Sequence, residues 1–178
     1  MLQKWGTVVT MTIYLLRHAI AEERSATGRD RDRKLTAEGI TKLETVLRVA
    51  ARAGLEPRQI LASPYARTVQ TASIARRALS VRNEVSLSDA FTPDAAPSAA
   101  WAEMRDWADD APLLVVTHEP LVSSLLSFLL GVSEHVHDFR KAGLAMLELH
   151  RTGARPAATI RWLLTPALAA GIAHETND

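Results

Sequence analysis

Four side chains in this sequence have the types and spacing to handle a phosphoryl group: Arg17, His18, Arg67 and His118. Arginine presents a planar fork of donors that matches phosphoryl oxygens in pairs and stays charged at any physiological pH. A neutral imidazole is a competent nucleophile near pH 7. Phosphoryl transfer asks mainly for positioning and charge stabilisation, which arginines supply without a metal. Taken singly, the signals are ordinary. An Arg-His pair after a strand is most often a surface or capping pair, and a lone histidine is most often a satisfied structural one. Their weight comes from the elements that carry them.

Thr12 to Leu16 reads as a short buried strand, and it delivers Arg17-His18 at its end. Gln59 to Ala62 is a second strand. Ser63-Pro64 then turns into a helix over 66–79, which carries Arg67 in its first turn, where backbone donors favour an anion. Leu113 to Val116 is another buried strand, with His118 just beyond it. Pro120 suits the first position of the next helix, which ends before Gly131. Thr36 is a plausible N-cap for a helix whose apolar positions Ile40, Leu43, Val46, Leu47 and Ala50 share one face and which stops at Gly54. Val81 to Leu87 reads as a strand and Ala99 to Trp107 as a helix. Ala142 to Leu149 and Ala158 to Leu164 read as a closing strand pair turned near Gly153. The alternation predicts an α/β fold with a mainly parallel sheet. Such sheets bind ligands beyond the carboxyl ends of their strands, so the four residues converge on one edge.

The bulk properties narrow the classes. The chain has 178 residues, 47% of them hydrophobic, enough for one domain with a real core. A net charge of +1 gives no global field for nucleic acid. There is no cysteine, which removes disulfides and thiolate metal sites and fits a cytoplasmic location. Leu121 to Leu130 is the longest apolar stretch and is too short to span a membrane. Residues 1–10 read as an N-terminal extension rather than a signal peptide, with Val8 and Val9 able to lengthen the first strand; residues 11–178 read as a single domain.

Leu16-Arg17-His18-Ala19 resembles the Arg-His-Gly motif of the histidine phosphatase superfamily, the phosphoglycerate mutase-like proteins. The run from Ser63 to Ala72 resembles that family's S-P-x-x-R-x-x-Q-T-A motif, and Val116 to Pro120 its later histidine motif. The helix start Leu35-Thr36-Ala37-Glu38-Gly39 also fits. Small size, the form of His118 to Val122 and the tail Trp162 to Pro166 are similar to the SixA-type phosphohistidine phosphatases. The resemblance implies a three-layer α/β/α sandwich and a metal-independent phosphatase with no cofactor. It implies that His18 attacks phosphorus and becomes phosphohistidine, that Arg17 and Arg67 hold the equatorial oxygens, and that His118 adds a hydrogen bond or positive charge. Arg33 and, more weakly, Lys141 are further candidates for the pocket.

This sequence departs from that family in two places. Ala19 stands where glycine is common, which negative backbone dihedrals would tolerate. No carboxylate has a convincing acid motif; the candidates are Asp89 and Glu119, then Asp94 and Glu103. An alkoxide leaving group needs a proton, whereas a phosphorylated imidazole leaves more easily. The doubtful acid therefore favours a phosphohistidine substrate on a protein. The short span between the second-motif helix and the next strand leaves no room for a lid domain, which points the same way. Small phosphate esters are the alternative substrates, and a non-catalytic phosphate-binding scaffold is the alternative of another class.

Other features read as bland. His135-Val136-His137-Asp138 resembles the start of a metal site but lacks a downstream ligand cluster, and His150 and His174 lie near turns or chain ends. The charged segment Glu22 to Lys34 reads as a solvated mobile loop rather than a grip for a partner. Trp101 and Trp107 read as packing residues, and Trp5 falls in the extension.

Overall fold

The computed structural model describes residues 11–107, 112–133, 138–151 and 153–175. Six strands pair in the order β3-β2-β4-β1-β5-β6: β1 Met11–Arg17, β2 Gln59–Ala62, β3 Ser86–Leu87, β4 Leu113–Thr117, β5 Leu144–Arg151 and β6 Ala157–Leu164. The first four run parallel, and β5 and β6 continue the sheet antiparallel on the other side of β1. Leu16 of β1 and Ala62 of β2 both stand beside Val116 of β4, so the three strands end level.

The apolar runs in β1 and β4 follow from burial on both faces. Successive side chains of a strand point to opposite sides. Tyr14, Leu16, Ile60, Leu114 and Val116 accordingly pack with α1 (Ala37–Arg52), α2 (Ala66–Ala78) and α5 (Pro166–Glu175). Ile13, Leu15, Leu61, Leu113 and Val115 pack with α3 (Pro97–Asp106) and α4 (Leu121–Leu130). This is the expected helix–sheet–helix sandwich, with two cores sharing one sheet.

Local chemistry accounts for several boundaries. Thr36 caps α1 by accepting the Gly39 amide at 3.0 Å. A Cβ on Gly39 would lie 2.2 Å from the Ile20 carbonyl oxygen, so only glycine lets α1 press on the backbone just past His18. Gly131 ends α4 in the left-handed conformation. No helix among the described residues is long and apolar enough to cross a membrane.

Several sequence expectations change. The strand over 81–87 shrinks to Ser86–Leu87. Side chains, not a ladder, bond the carbonyls before it: Arg76 donates to those of Arg82 and Asn83, and Gln59 to that of Glu84. Pro120 sits at the N-cap of α4, one residue before the helix. The tail after Trp162 continues β6 to Leu164, and Pro166 opens a further helix, α5, with Thr165 accepting the Leu168 amide. Residues 1–10 and His135 and His137 lie outside the described residues. The segment Glu22 to Lys34 is exposed but folded. Its two ends meet through the Glu22 amide and the Lys34 carbonyl, and residues Asp30–Asp32 form one 3-10 turn at its tip.

Candidate active site

Arg17, His18, Arg67 and His118 meet at the carboxyl edge of β1, β2 and β4. Arg17 closes β1, His118 follows β4, and Arg67 lies in the first turn of α2 after β2. The backbone of His18 is fixed from two sides: its amide donates to the Thr117 carbonyl, and its carbonyl accepts the Ala142 amide. Its Nδ1 lies 2.8 Å from the Ala19 carbonyl oxygen. A carbonyl only accepts, so the ring proton sits on Nδ1 and the Nε2 lone pair is left for chemistry. Arg67 Nε donates to that Nε2 at 3.3 Å. Burial, followed by the charges of Arg67, Arg17 and Lys141, outweighs the Ala19 hydrogen bond and pushes the His18 pKa down to about 3. The imidazole is therefore neutral at pH 7 and nucleophilic.

His118 is wholly buried, its ring centre 5.0 Å from that of His18. Its Nε2 lies 2.9 Å from Ser63 Oγ. Burial, then the fields of His18 and Arg67, lowers its pKa to about 2, against a small opposing effect of Asp30. Arg67 is 4% exposed and lies over the Tyr65 ring, 5.0 Å from its centre. Its remaining donors reach the Asp30 carbonyl at 2.8 Å and the Asp30 carboxylate at 3.0 Å. Arg17 donates to the Phe139 carbonyl and stands 4.0 Å from Asp138, and burial lowers its pKa. Two buried side-chain nitrogens among the described residues lack any hydrogen-bond partner: Arg17 Nε and His118 Nδ1. Both belong to this cluster. An unpaired buried donor costs roughly 1–3 kcal/mol, so two in one place mark a site shaped for a ligand with acceptors.

The other candidates scatter. Arg33 bonds the Glu22 carbonyl and the Asp30 carboxylate, so it braces the loop and touches the pocket only through Asp30. Lys141 is exposed, close enough for its charge to act on His18. Glu119 accepts from Ser123 Oγ at 2.7 Å and the Phe139 amide at 3.0 Å, both through Oε1, and its charge acts on Arg17. Asp89 is exposed in a 3-10 turn after β3, and its carboxylate bonds none of the four site residues. Asp94 is exposed and Glu103 half-buried on α3, both likewise apart from them. Ala19 is fully buried and is not among the residues with positive φ, so its methyl group is accommodated as expected. Trp101 packs in the core with its indole donating to the Gly153 carbonyl, while Trp107 is exposed at the end of α3. Among the described residues no three His, Asp or Glu side chains cluster as metal ligands.

Sequence reasoning missed Asp30 altogether. Its carboxyl lies below the usual range because bonds from Arg33 and Arg67 outweigh partial burial. No local pattern could reveal a loop residue that reaches across the fold. Thr71 and Gln70 carried a usable signal, since both fall in the second motif. Thr71 Oγ1 accepts the Ala19 amide and donates to the Arg67 carbonyl, locking the segments that carry His18 and Arg67 together. Gln70 accepts the Leu35 amide.

Comparison with known proteins agrees with this geometry. Residues 13–92 match the model of the histidine phosphatase superfamily (branch 1). An uncharacterized protein of Picosynechococcus sp. (strain ATCC 27264 / PCC 7002 / PR-6) is 34% identical over 146 residues, 81% of this chain and 87% of that one. Among solved structures, the protein histidine phosphatase SixA complexed with tungstate superposes with a TM-score of 0.79 at 24% identity, covering 88% of this chain and 98% of that one. A candidate phosphohistidine phosphatase SixA from Agrobacterium tumefaciens superposes with a TM-score of 0.74 at 25% identity, covering 87% and 97%.

Proposed function

Since the chain belongs to the histidine phosphatase superfamily, we propose that it is a metal-independent phosphatase working through a phosphohistidine at His18, with phosphohistidine on a protein as substrate. In the first step His18 Nε2 attacks phosphorus in line. The P–N bond to the substrate imidazole, protonated on its other ring nitrogen, breaks as the bond to His18 forms, so that ring leaves neutral while His18 keeps its proton on Nδ1. In the second step water attacks the phosphohistidine, restoring the imidazole and releasing phosphate. Arg67 and Arg17 hold the equatorial oxygens, which carry most of the charge in a loose transition state. His118 donates from Nδ1, with Ser63 fixing its ring.

The observation that carries this reading is the pair of unpartnered buried nitrogens, Arg17 Nε and His118 Nδ1, beside the neutral imidazole of His18. The tungstate in the SixA structure supports an oxyanion in a pocket of this kind. The preference for an N–P bond rests on the carboxylates. Asp89 is exposed and bonds none of the four site residues, one oxygen of Glu119 is engaged with Ser123 and Phe139, and Asp30 is held ionised by two arginines. None of the three bonds His18 or His118, and a leaving imidazole demands a weaker acid than an alkoxide.

The test has two parts. Wild-type protein mixed with a phosphodonor should acquire acid-labile, alkali-stable phosphate, and His18→Ala should acquire none and lose at least about four orders of magnitude in turnover. Catalytic efficiency should be higher on a phosphohistidine protein than on small phosphomonoesters. The opposite ranking would sink the substrate assignment and favour the small-ester reading.

A further inference from the structure

A half-open cavity of about 730 Å³ adjoins the phosphoryl pocket. Its floor combines apolar groups of Ile20, just past His18, and of Pro166 and the exposed Ala170 of α5 with Thr41, Thr45 and Thr165. Its rim carries Arg17, Lys42, Arg140 and Lys141, and no carboxylate lines it. Two acids stand outside the rim: Glu38 pairs with Lys42 at 2.5 Å, and Asp138 lies 3.8 Å from Arg140 and 4.0 Å from Arg17. Among the described residues Lys141 has no ion-pair partner. The rim therefore keeps a positive excess after these pairings.

The cavity is joined to the pocket in three ways. Arg17 belongs to both. The turn that carries Arg140 and Lys141 is bonded to the site, through the Ala142 amide to the His18 carbonyl and the Arg17 amide to the Gly143 carbonyl. Ala142 holds that turn at φ 61, a left-handed conformation that costs an L-residue roughly 1–2 kcal/mol and recurs where a site fixes the backbone. A phosphoryl group alone is too small to reach the floor of this cavity. The residues flanking it on a polypeptide are not.

We propose that the cavity is the docking seat for the polypeptide segment bearing the phosphoryl group, and that it selects segments pairing acidic residues with an apolar side chain. This rests on the reading that the substrate is a phosphorylated protein. The apolar residue covers Ile20 and Ala170, and the acids meet Arg140, Lys141 and Lys42. A single exposed ion pair contributes little, but clustered cations around a low-dielectric floor attract an acidic segment and set its orientation.

Three probes test it: two phosphohistidine peptides identical except for Asp and Glu flanks in one and Asn and Gln in the other, and phosphoramidate as a small N–P donor. Wild type should show a kcat/KM at least about tenfold higher on the acidic peptide, the difference lying in KM and shrinking as salt rises. Lys42→Glu combined with Arg140→Glu should erase that preference and lower turnover of the acidic peptide much more than that of phosphoramidate. Ala170→Trp, which fills the floor and leaves the charges alone, should raise KM for the acidic peptide relative to phosphoramidate. Wild type that hydrolyses phosphoramidate and treats both peptides alike overturns the docking seat while the enzymatic reading stands. Equal losses on all three probes in the variants overturn it as well. Wild type that hydrolyses none of the three overturns the enzymatic reading itself.

Discussion

In the candidate active site His18, Ser63, Arg67 and His118 are each less than a tenth exposed, while one side chain away Lys42, Arg140 and Lys141 stand in solvent. The two regions share Arg17 and differ in how their charge is held. Inside the pocket, strand ends and the start of α2 fix every polar group, and two donors are left over. Around the cavity, cations on α1 and on the turn before β5 surround a partly apolar floor that α5 completes. Burial makes the first region reactive, because a desolvated neutral imidazole and rigid donors act at full strength in a low dielectric. Exposure leaves the second region weakly attractive at any one point and selective only as a group.

Breaking the pocket should harm every substrate alike. Arg67→Ala removes the guanidinium bound to both His18 and Asp30. It should lower kcat by about 100- to 1,000-fold on phosphoramidate and on peptides, the usual cost of one transition-state donor. A loss confined to peptides, seen in parallel steady-state assays, would move Arg67 from the chemistry to recognition.

Acid should separate the regions next. His18 and His118 have pKa values of about 3 and about 2 in the fold, against 6.5 when unperturbed. Above pH 6.5 both are neutral in folded and unfolded chain alike. As pH falls from 6.5 toward 3, only the unfolded chain takes up those protons, so stability declines by up to about 1.4 kcal/mol per pH unit for each histidine. Thermal melting from pH 7 to pH 5 should show a falling midpoint, with a shallower slope in His18→Gln. An identical slope in that variant would mean that His18 is already charged in the fold.

The smallest expected effect sharpens the boundary between the regions. Asp30 places a carboxylate on the donors that an oxyanion would use. Asp30→Asn removes that competitor, so tungstate or inorganic phosphate should bind several-fold more tightly by calorimetry, a gain of about 1 kcal/mol. Weaker binding would show instead that Asp30 serves chiefly to aim Arg67.

Much of this was legible in the sequence because it is local. The apolar runs of β1 and β4 report burial on both faces, and Thr36 and Gly131 punctuate helices by capping chemistry that neighbouring residues decide. Arg17, His18, Arg67 and His118 could be placed together because parallel strands end on one side. The strand over 81–87 was misread because its apolar residues resemble a strand, while the Arg76 and Gln59 side chains that bond its carbonyls come from outside it. Helix α5 was missed because its alanine-rich run separates apolar from polar faces only weakly.

The sequence by itself thus determined which strands deliver Arg17, His18, Arg67 and His118 to one sheet edge. Periodicity, caps and motif spacing depend on near neighbours, and those are written consecutively. Tertiary structure alone decided that Asp30 occupies the Arg67 fork, that Ser63 orients His118, and that α5 closes a basic cavity beside Arg17. These are contacts between residues 37, 55 and more than a hundred positions apart, and only the packed fold sets their distances and the burial that gives them their strength.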